Sequence, residues 1–189
     1  MSELNLPIPE SYWVEPGRFL VGEYPGYAHG EQLRQRLDAF LDFGINTFID
    51  LTDLDELPPY LPMLKEQASY YDTDIHYKRF TITDHGVPTS ETMQAILDEI
   101  DSSLAAGRKV YVHCWGGIGR TGTTVGCYLV RHGRTGQQAL QQLAAWWKDV
   151  PKSRMWPHSP ETDRQMQFVL NWDVNSPSPR PSTLTGTRP

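Results

Sequence analysis

The chain has 189 residues, 39% of them hydrophobic, which suits one globular domain with a single core. Its formal net charge of -6 argues against nucleic acid as a partner, because proteins that bind phosphate backbones carry an excess of basic residues. Two cysteines, Cys114 and Cys127, are too few for a disulfide framework and lack the spacing of a metal site. No stretch approaches the roughly 20 apolar residues of a membrane span. We therefore expect a soluble, cytoplasmic protein.

The first half of the chain alternates between strand-like and helix-like patterns. In chain order, these patterns predict a strand or hairpin within 13–27, a helix from Glu31 that ends at Gly44, a strand at 45–51, a short helix at 59–68 and a strand at 75–82. The helix that begins at Glu31 has its apolar residues at helical spacing, which are Leu33, Leu37, Phe40 and Leu41.

The second half continues the alternation. Five apolar residues on one face predict a helix over 90–104, for which Thr89 or Ser90 is the N-cap. The short apolar run at 109–114 is typical of a strand buried in a parallel sheet, and a helix over 119–131 follows it. Two further helices are predicted, around 140–147 and 166–170. The whole pattern predicts an α/β fold, with a mostly parallel central sheet and helices on both faces.

The ends of the chain differ from its middle in composition. We expect residues 1–12 to be an N-terminal extension and residues 13–174 to form the single domain. Residues 175–189 are rich in proline, serine and threonine, so they are predicted to be a disordered tail.

Residues 110–121, with the sequence Val-Tyr-Val-His-Cys-Trp-Gly-Gly-Ile-Gly-Arg-Thr, join an apolar strand to a helix through a glycine-rich turn. Such a turn can fold so that successive backbone N–H groups point inward and bind an anion at the start of the helix. Cys114 lies at the bottom of this predicted nest. The helix N-terminus and Arg120 both favour its thiolate form, which is the nucleophilic form of cysteine.

The residues around this cysteine have complementary chemistry. Arg120 follows Cys114 by six positions, so the turn can encircle a tetrahedral anion and present the guanidinium fork to two of its oxygens. The Thr121 hydroxyl can donate a hydrogen bond to the cysteine sulfur, which stabilises the thiolate as attacking and leaving group. His113 is expected to hold the turn from behind.

This pattern resembles the signature of the cysteine-dependent protein tyrosine and dual-specificity phosphatases, which is His-Cys, five variable residues, Arg, then Ser or Thr. Gly117 stands at the family's glycine position. The resemblance implies a phosphate-binding loop between a central strand and a helix, and a cysteinyl-phosphate intermediate formed without metal or cofactor. It makes Cys114, Arg120, Thr121 and His113 catalytic residues. The phosphate-binding residues that it implies are Trp115, Gly116, Gly117, Ile118, Gly119 and Arg120.

The family also supplies an aspartic acid on a mobile loop, which protonates the leaving oxygen. Asp84 is the candidate, because it follows a predicted strand and lies beside Gly86 and Pro88 in a loop that could close over substrate. The alternative is that Asp84 only begins a turn, and His85 is a rival acid. Four further acidic residues follow another strand and are interpreted as pocket wall or loop structure, namely Asp50, Asp53, Asp55 and Glu56.

The segment 159–165 resembles the part of tyrosine phosphatases that carries water-positioning glutamines. Gln165 matches one of these glutamines, whereas Glu161 stands where the better-known enzymes have another. The alternative is a capped helix start, with Ser159 as the cap and Pro160 at the first helical position.

The loop contains no lysine, although family members that act on inositol phospholipids often carry one there. We therefore favour a phosphorylated protein, above all a phosphotyrosine protein, or a small phosphomonoester as substrate. Phosphoserine and phosphothreonine remain possible. Basic residues elsewhere could supply the same charge, and they are Lys78, Arg79, Lys152 and Arg154.

Three other functions stay open at this point. They are an inositol phosphate or phosphoinositide phosphatase, a phospho-binding pseudophosphatase, and a sulfur transferase of the rhodanese type. Cys127 is expected to be a core residue, with a disulfide to Cys114 as the less favoured alternative. We expect the protein to act as a monomer.

Overall fold

Five strands form one central sheet in the computed structural model, which describes residues 5–26 and 28–173. The strands are β1 (Ser11–Glu15), β2 (Phe19–Gly22), β3 (Thr47–Asp50), β4 (His76–Arg79) and β5 (Val110–His113). Their order across the sheet is β1-β2-β5-β3-β4. Only β1 runs antiparallel to its neighbour, and the other pairings are parallel. The predicted mostly parallel sheet is therefore confirmed.

Six α-helices cover the two faces of this sheet in the described residues. They are α1 (Gly30–Asp42), α2 (Leu61–Tyr70), α3 (Ser90–Ala105), α4 (Gly119–Arg131), α5 (Gly136–Trp147) and α6 (Asp163–Leu170), with a short 3-10 helix at Pro151–Arg154. Buried side chains of α1 and α2 form one hydrophobic cluster with one face of the sheet. Those of α3, α4, α5 and α6 form a larger cluster on the other face. The predicted α/β fold with helices on both faces is confirmed.

The central strand β5 explains the continuous apolar run in the sequence. Val110 and Val112 pack into the larger cluster, whereas Tyr111 packs into the smaller one. A strand buried on both faces has no solvent side, so its residues do not alternate between apolar and polar. In the parallel register, His113 at the end of β5 lies beside Asp50 at the end of β3. The loops that follow these strands consequently meet at one edge of the sheet, where α/β proteins bind ligands.

Two boundaries differ from the sequence-based expectation. The strand expected over 75–82 is shorter in the structure, where β4 covers only His76–Arg79. Beyond it, the N–H groups of Phe80 and Ile82 still donate to the carbonyls of Asp50 and Leu51. Strand β1 begins at Ser11, two residues before the domain boundary expected after residue 12, and Ile8 is buried in the smaller cluster. The tail expected at 175–189 lies outside the described residues.

None of the helices within 5–26 and 28–173 has the length and apolar character needed to cross a membrane.

Candidate active site

The turn between β5 and α4 is shaped by a close contact with another strand. Gly117 has a φ of 74°, and a Cβ atom there would lie 2.5 Å from the carbonyl carbon of Gly22 in β2. A side chain at this position would be strained by the backbone angle and would also clash with backbone atoms that cannot easily move. Glycine is therefore required where the loop passes closest to β2.

The cysteine loop, residues 114–119, is held in place by hydrogen bonds that other groups donate to its backbone carbonyls. The Gly119 carbonyl accepts from Thr123 Oγ1 within α4. Four other carbonyl oxygens of the loop accept hydrogen bonds from side chains or from another segment: Cys114 from His113 Nδ1 (3.2 Å), Trp115 from the Tyr24 N–H (2.8 Å), Gly116 from Lys152 Nζ (3.1 Å) and Ile118 from Ser159 Oγ (2.8 Å). The C=O and N–H of a trans peptide point in opposite directions. Each outward carbonyl thus directs the next N–H group towards the centre of the loop, which produces the predicted anion-binding nest.

A cavity of about 290 Å³ opens over this nest. Cys114 lies at its floor with 2% of its surface exposed. The predicted site residues that line the cavity are Asp84, Cys114, Trp115, Gly116, Ile118, Gly119 and Arg120, and they are joined by His85, Lys152, Trp156 and Glu161. His113, Gly117, Thr121 and Gln165 were also predicted, and they lie outside this lining.

The Arg120 guanidinium is fixed by an acidic residue from the loop after β3. Its two terminal nitrogens each donate to one carboxylate oxygen of Glu56, both at 2.7 Å, and Nη1 also donates to the Ile82 carbonyl at 3.0 Å. The Arg120 side chain is 1% exposed. Burial opposes the charge of each partner, but their mutual hydrogen bonds raise the pKa of Arg120 and hold the pKa of Glu56 below its usual range.

The role of Glu56 was missed from the sequence, which assigned it only to pocket wall or loop structure. It is 64 residues from Arg120 along the chain. The available signal was that a cluster of acids follows β3, whose carboxyl end lies at the same sheet edge as Cys114. This pattern does not indicate which of the four acidic residues contacts Arg120. Asp50, for example, instead accepts hydrogen bonds from Thr52 and Arg79 below the site.

The candidate proton donor lies over the cysteine loop. Asp84 belongs to the acid loop, residues 80–89, which joins β4 to α3. Its Oδ1 is 3.0 Å from Arg120 Nη2, and its side chain is 46% exposed. A tight turn shapes the loop here, since the Gly86 N–H donates to the Thr83 carbonyl and His85 has a φ of 56°. Asp84 is thus the second residue of a turn that begins at Thr83, and it also lines the cavity, so the two sequence interpretations are compatible.

His85, the rival acid, also lines the cavity. Its Nε2 is 3.4 Å from Asp84 Oδ2, and its Nδ1 is 3.4 Å from Glu161 Oε2. The ring is more exposed than either carboxylate. Asp84 differs from His85 in that its carboxylate contacts the Arg120 guanidinium directly.

His113 contacts the backbone of the cysteine loop through its Nδ1 atom. The Cys114 carbonyl can only accept, so His113 Nδ1 carries the hydrogen of that bond and Nε2 accepts from the Tyr60 hydroxyl at 2.7 Å. The ring is fully buried, and burial lowers the pKa of His113, although the nearby Asp50 carboxylate opposes this shift. A neutral imidazole with one defined tautomer therefore supports the backbone at the nucleophile.

Thr121 and Cys127 lie on α4, within the core. The Thr121 hydroxyl is buried and has no hydrogen-bond partner among the described residues, so the expected bond to the Cys114 sulfur is not formed in this structure. Cys127 is fully buried in the larger cluster, and burial raises the pKa of its thiol. Both cysteines are free thiols, and no disulfide joins them.

Gln165 does not line the cavity in the described structure. It is fully buried near the start of α6, where it completes a capping box with Thr162. Its Oε1 accepts from the N–H groups of Glu161 and Thr162, and its Nε2 donates to the Gly86 carbonyl. The capped helix start is therefore present, although its cap is Thr162 and not Ser159.

The basic residues outside the cysteine loop that could supply extra charge are Lys78, Arg79, Lys152 and Arg154. Of these four, only Lys152 lines the cavity. Besides its bond to Gly116, its Nζ is 2.5 Å from Glu23 Oε2. Lys78 and Arg79 instead pair with Glu99 and Asp50.

Comparisons with known proteins identify the family of the chain. The family model described as the Swiss Army Knife protein, DSP-PTPase phosphatase domain, matches residues 9–169. The chain is 31% identical over 106 residues to the Arabidopsis thaliana protein "Phosphatidylinositol 3,4,5-trisphosphate 3-phosphatase and protein-tyrosine-phosphatase PTEN1", covering 53% of this chain and 25% of that protein. It is 27% identical over 130 residues to "Dual specificity protein phosphatase CDC14B" of Mus musculus, covering 65% and 24%. The chain thus spans about a quarter of the length of these relatives.

The fold of this chain is also similar to that of a solved structure. The crystal structure of Tk-PTP in the active form superposes with a TM-score of 0.65 at 25% identity, covering 85% of this chain and 94% of that one. Since the family model matches most of the chain, the chain belongs to the DSP-PTPase phosphatase domain family, a dual-specificity-like branch of the cysteine-dependent protein tyrosine phosphatase superfamily.

Proposed function

We propose that this protein hydrolyses phosphate monoesters through a cysteinyl-phosphate intermediate. The observation that carries this proposal is the convergence on one cavity of Cys114, the inward amides of the cysteine loop, Arg120 and Asp84. They provide a nucleophile, an anion-binding site and a proton donor. These groups need no metal or cofactor.

In the first proposed step, the Cys114 thiolate attacks phosphorus, and the bond between phosphorus and the ester oxygen breaks. Asp84 donates a proton to that oxygen, so the product leaves as a neutral alcohol or phenol. Arg120 and the loop amides stabilise the negative charge on the three equatorial oxygens. Because Glu56 already orients the guanidinium, Arg120 is fixed before substrate binds.

In the second proposed step, water attacks the phosphocysteine and transfers a proton to the Asp84 carboxylate. The bond between sulfur and phosphorus breaks, and inorganic phosphate and the Cys114 thiolate are formed. The buried Thr121 hydroxyl has no other partner among the described residues, so it is available to donate a hydrogen bond to the departing sulfur.

The walls of the cavity favour an aryl ester as substrate. Trp115 and Trp156 line it, each with 41% of its surface exposed, and the buried Ile118 adds apolar surface. Aromatic side chains stabilise a bound ring by burying its surface and by edge or offset contacts. We therefore propose phosphotyrosine in a protein as the preferred group, with phosphoserine and phosphothreonine as further substrates. A cytoplasmic location and a monomeric state remain predictions.

A phosphoinositide or inositol phosphate is the second candidate substrate. It is supported by Lys152, which brings a lysine to the cavity even though the cysteine loop contains none, and by the phosphatidylinositol phosphatase activity in the name of the PTEN1 relative. Against it, the Lys152 charge is already paired with Glu23. Relative turnover of phosphotyrosine peptides and inositol phosphates by the purified protein decides between the two classes.

We predict that the wild-type protein hydrolyses p-nitrophenyl phosphate in the presence of a metal chelator, and that vanadate inhibits it. Cys114→Ser should lower kcat by about 10⁴-fold or more, because a serine hydroxyl at this position has no general base to activate it. Cys127→Ala is the matched control, and it should retain activity at temperatures where it stays folded. Undiminished turnover by Cys114→Ser would exclude the cysteinyl mechanism, and an inactive wild-type protein would favour a phospho-binding pseudophosphatase.

A second prediction concerns Asp84. Asp84→Asn should lower kcat/KM for phenyl phosphate by about 100-fold, within the range that general acid catalysis contributes. The inhibition constant for inorganic phosphate should stay equal or fall, because the substitution removes a negative charge 3.0 Å from Arg120. Asp72→Asn, at an exposed aspartate that does not line the cavity, is the control. An unchanged rate would transfer the acid role to another residue, first of all His85.

A third prediction concerns Glu56. Glu56→Gln replaces one acceptor oxygen by an NH₂ group that repels the guanidinium, so the fixed orientation of Arg120 should be lost. We expect kcat/KM to fall by about 10- to 100-fold, as for other misplaced catalytic groups, and the inhibition constant for inorganic phosphate to rise. The neighbouring exposed Asp55, changed to Asn, should leave both values unaltered. Equal phosphate affinity in Glu56→Gln and wild type would show that Arg120 needs no external orientation.

A further inference from the structure

The Gln165 side chain lies at a junction of three segments. Its amide caps the start of α6 and donates to the Gly86 carbonyl in the acid loop at 3.1 Å. A Cβ atom built on Gly119 would lie 2.7 Å from the amide nitrogen, so the same amide packs against the first residue of α4. One fully buried side chain therefore connects the acid loop, the cysteine loop and α6.

These contacts use the polar atoms of the Gln165 amide. Oε1 accepts two hydrogen bonds, and Nε2 donates one to Gly86. The side chain does not line the cavity in the described structure, and it has no exposed surface. A residue that orients the hydrolytic water would need a polar atom directed at the bound phosphate. The observed contacts therefore favour a structural action on the loops over contact with water.

The hydrogen bond from Gln165 to the Gly86 carbonyl lies close in sequence to Asp84, the candidate acid. Gly86 is two residues after Asp84, in the turn closed by the bond from its own N–H to the Thr83 carbonyl. On the other side of this turn, Asp84 contacts Arg120. Since Asp84 is about half-exposed, few packing contacts restrict it, and its position depends on the Arg120 contact and on the backbone of its loop.

We propose that Gln165 is a positioning residue that holds the acid loop over the cysteine loop, and so keeps Asp84 within reach of the leaving oxygen. This inference rests on the proposed function, because it assigns the position of the proton donor in that reaction. It predicts that loss of Gln165 slows cleavage of the ester bond, which kcat/KM reports, and not hydrolysis of the phosphocysteine alone, because Asp84 acts in both proposed steps.

The decisive variant is Gln165→Glu. Glutamate at the third position of a helix is a standard partner in a capping box, so a carboxylate can still accept from the Glu161 and Thr162 N–H groups. Its second oxygen cannot donate to the Gly86 carbonyl and repels it. The substitution thus keeps the cap and removes the connection to the acid loop.

The chain offers a matched control in α5. Gln138 occupies the same third position in a second capping box, where its Oε1 accepts from the Thr135 N–H and Thr135 Oγ1 accepts from its own N–H. Gln138 is exposed and lies outside the catalytic cavity. Gln138→Glu therefore makes the same chemical change at an equivalent cap, and it should leave the kinetics unaltered.

Comparing two aryl phosphates as substrates distinguishes a role of Gln165 in positioning the acid from a general structural role. Phenol leaves poorly without protonation, whereas p-nitrophenol leaves well, so a displaced acid slows cleavage of phenyl phosphate selectively. For Gln165→Glu we expect kcat/KM to fall about tenfold or more with phenyl phosphate and by less than about threefold with p-nitrophenyl phosphate. Amide hydrogen exchange at residues 83–87 should become about tenfold faster than in wild type and in Gln138→Glu.

Gln165→Met tests whether the new charge causes the effect, because it removes the donor without adding a carboxylate. The same selective loss with phenyl phosphate supports the positioning role. Equal losses with both substrates, or slow hydrolysis of an accumulating phosphocysteine with unchanged kcat/KM, would overturn it. These results require wild-type turnover, whereas a wild-type protein that hydrolyses neither substrate would contradict the proposed function itself.

Discussion

The buried ion pair between Arg120 and Glu56 is the contact on which the site depends. A guanidinium with 1% of its side chain exposed is costly unless a partner and further hydrogen bonds satisfy it. Glu56 provides two bonds, and the Ile82 carbonyl provides another. These groups come from the segments after β3 and β4, while Arg120 lies in the first turn of α4, after β5. One side chain therefore joins three neighbouring segments at the carboxyl edge of the parallel sheet.

The same guanidinium also contacts Asp84, so the candidate acid and the anion-binding group are adjacent before substrate binds. A phosphate ester in the nest would approach the Arg120 nitrogen that Asp84 contacts in this structure. Fixing Arg120 through Glu56 leaves this nitrogen available to either partner without moving the guanidinium. Backbone contacts of the cysteine loop provide the rest of the preorganisation, because the carbonyls of Cys114, Trp115, Gly116 and Ile118 accept hydrogen bonds that fix the loop before substrate binds.

Local patterns predicted the fold class and the central residues of the site. Cys114 and Arg120 lie at fixed offsets in one strand-turn-helix unit, so a single stretch of sequence contains their relation. The roles of Glu56 and Lys152 could not be predicted in this way, since each depends on tertiary contacts with a distant segment. Gln165 was found by its resemblance to water-positioning glutamines, but its partner Gly86 is 79 residues away, and only the structure shows this contact.

The most direct test of the central claim is a crystal structure of the protein with vanadate. We expect vanadium bonded to the Cys114 sulfur, its equatorial oxygens bound by the loop N–H groups and by Arg120, and the Arg120 contact with Glu56 retained. The Asp84 carboxyl should lie beside the apical oxygen, which stands in for the leaving oxygen of the ester. Vanadate bound outside the cysteine loop, or bound there without a contact to the Arg120 guanidinium, would contradict the account.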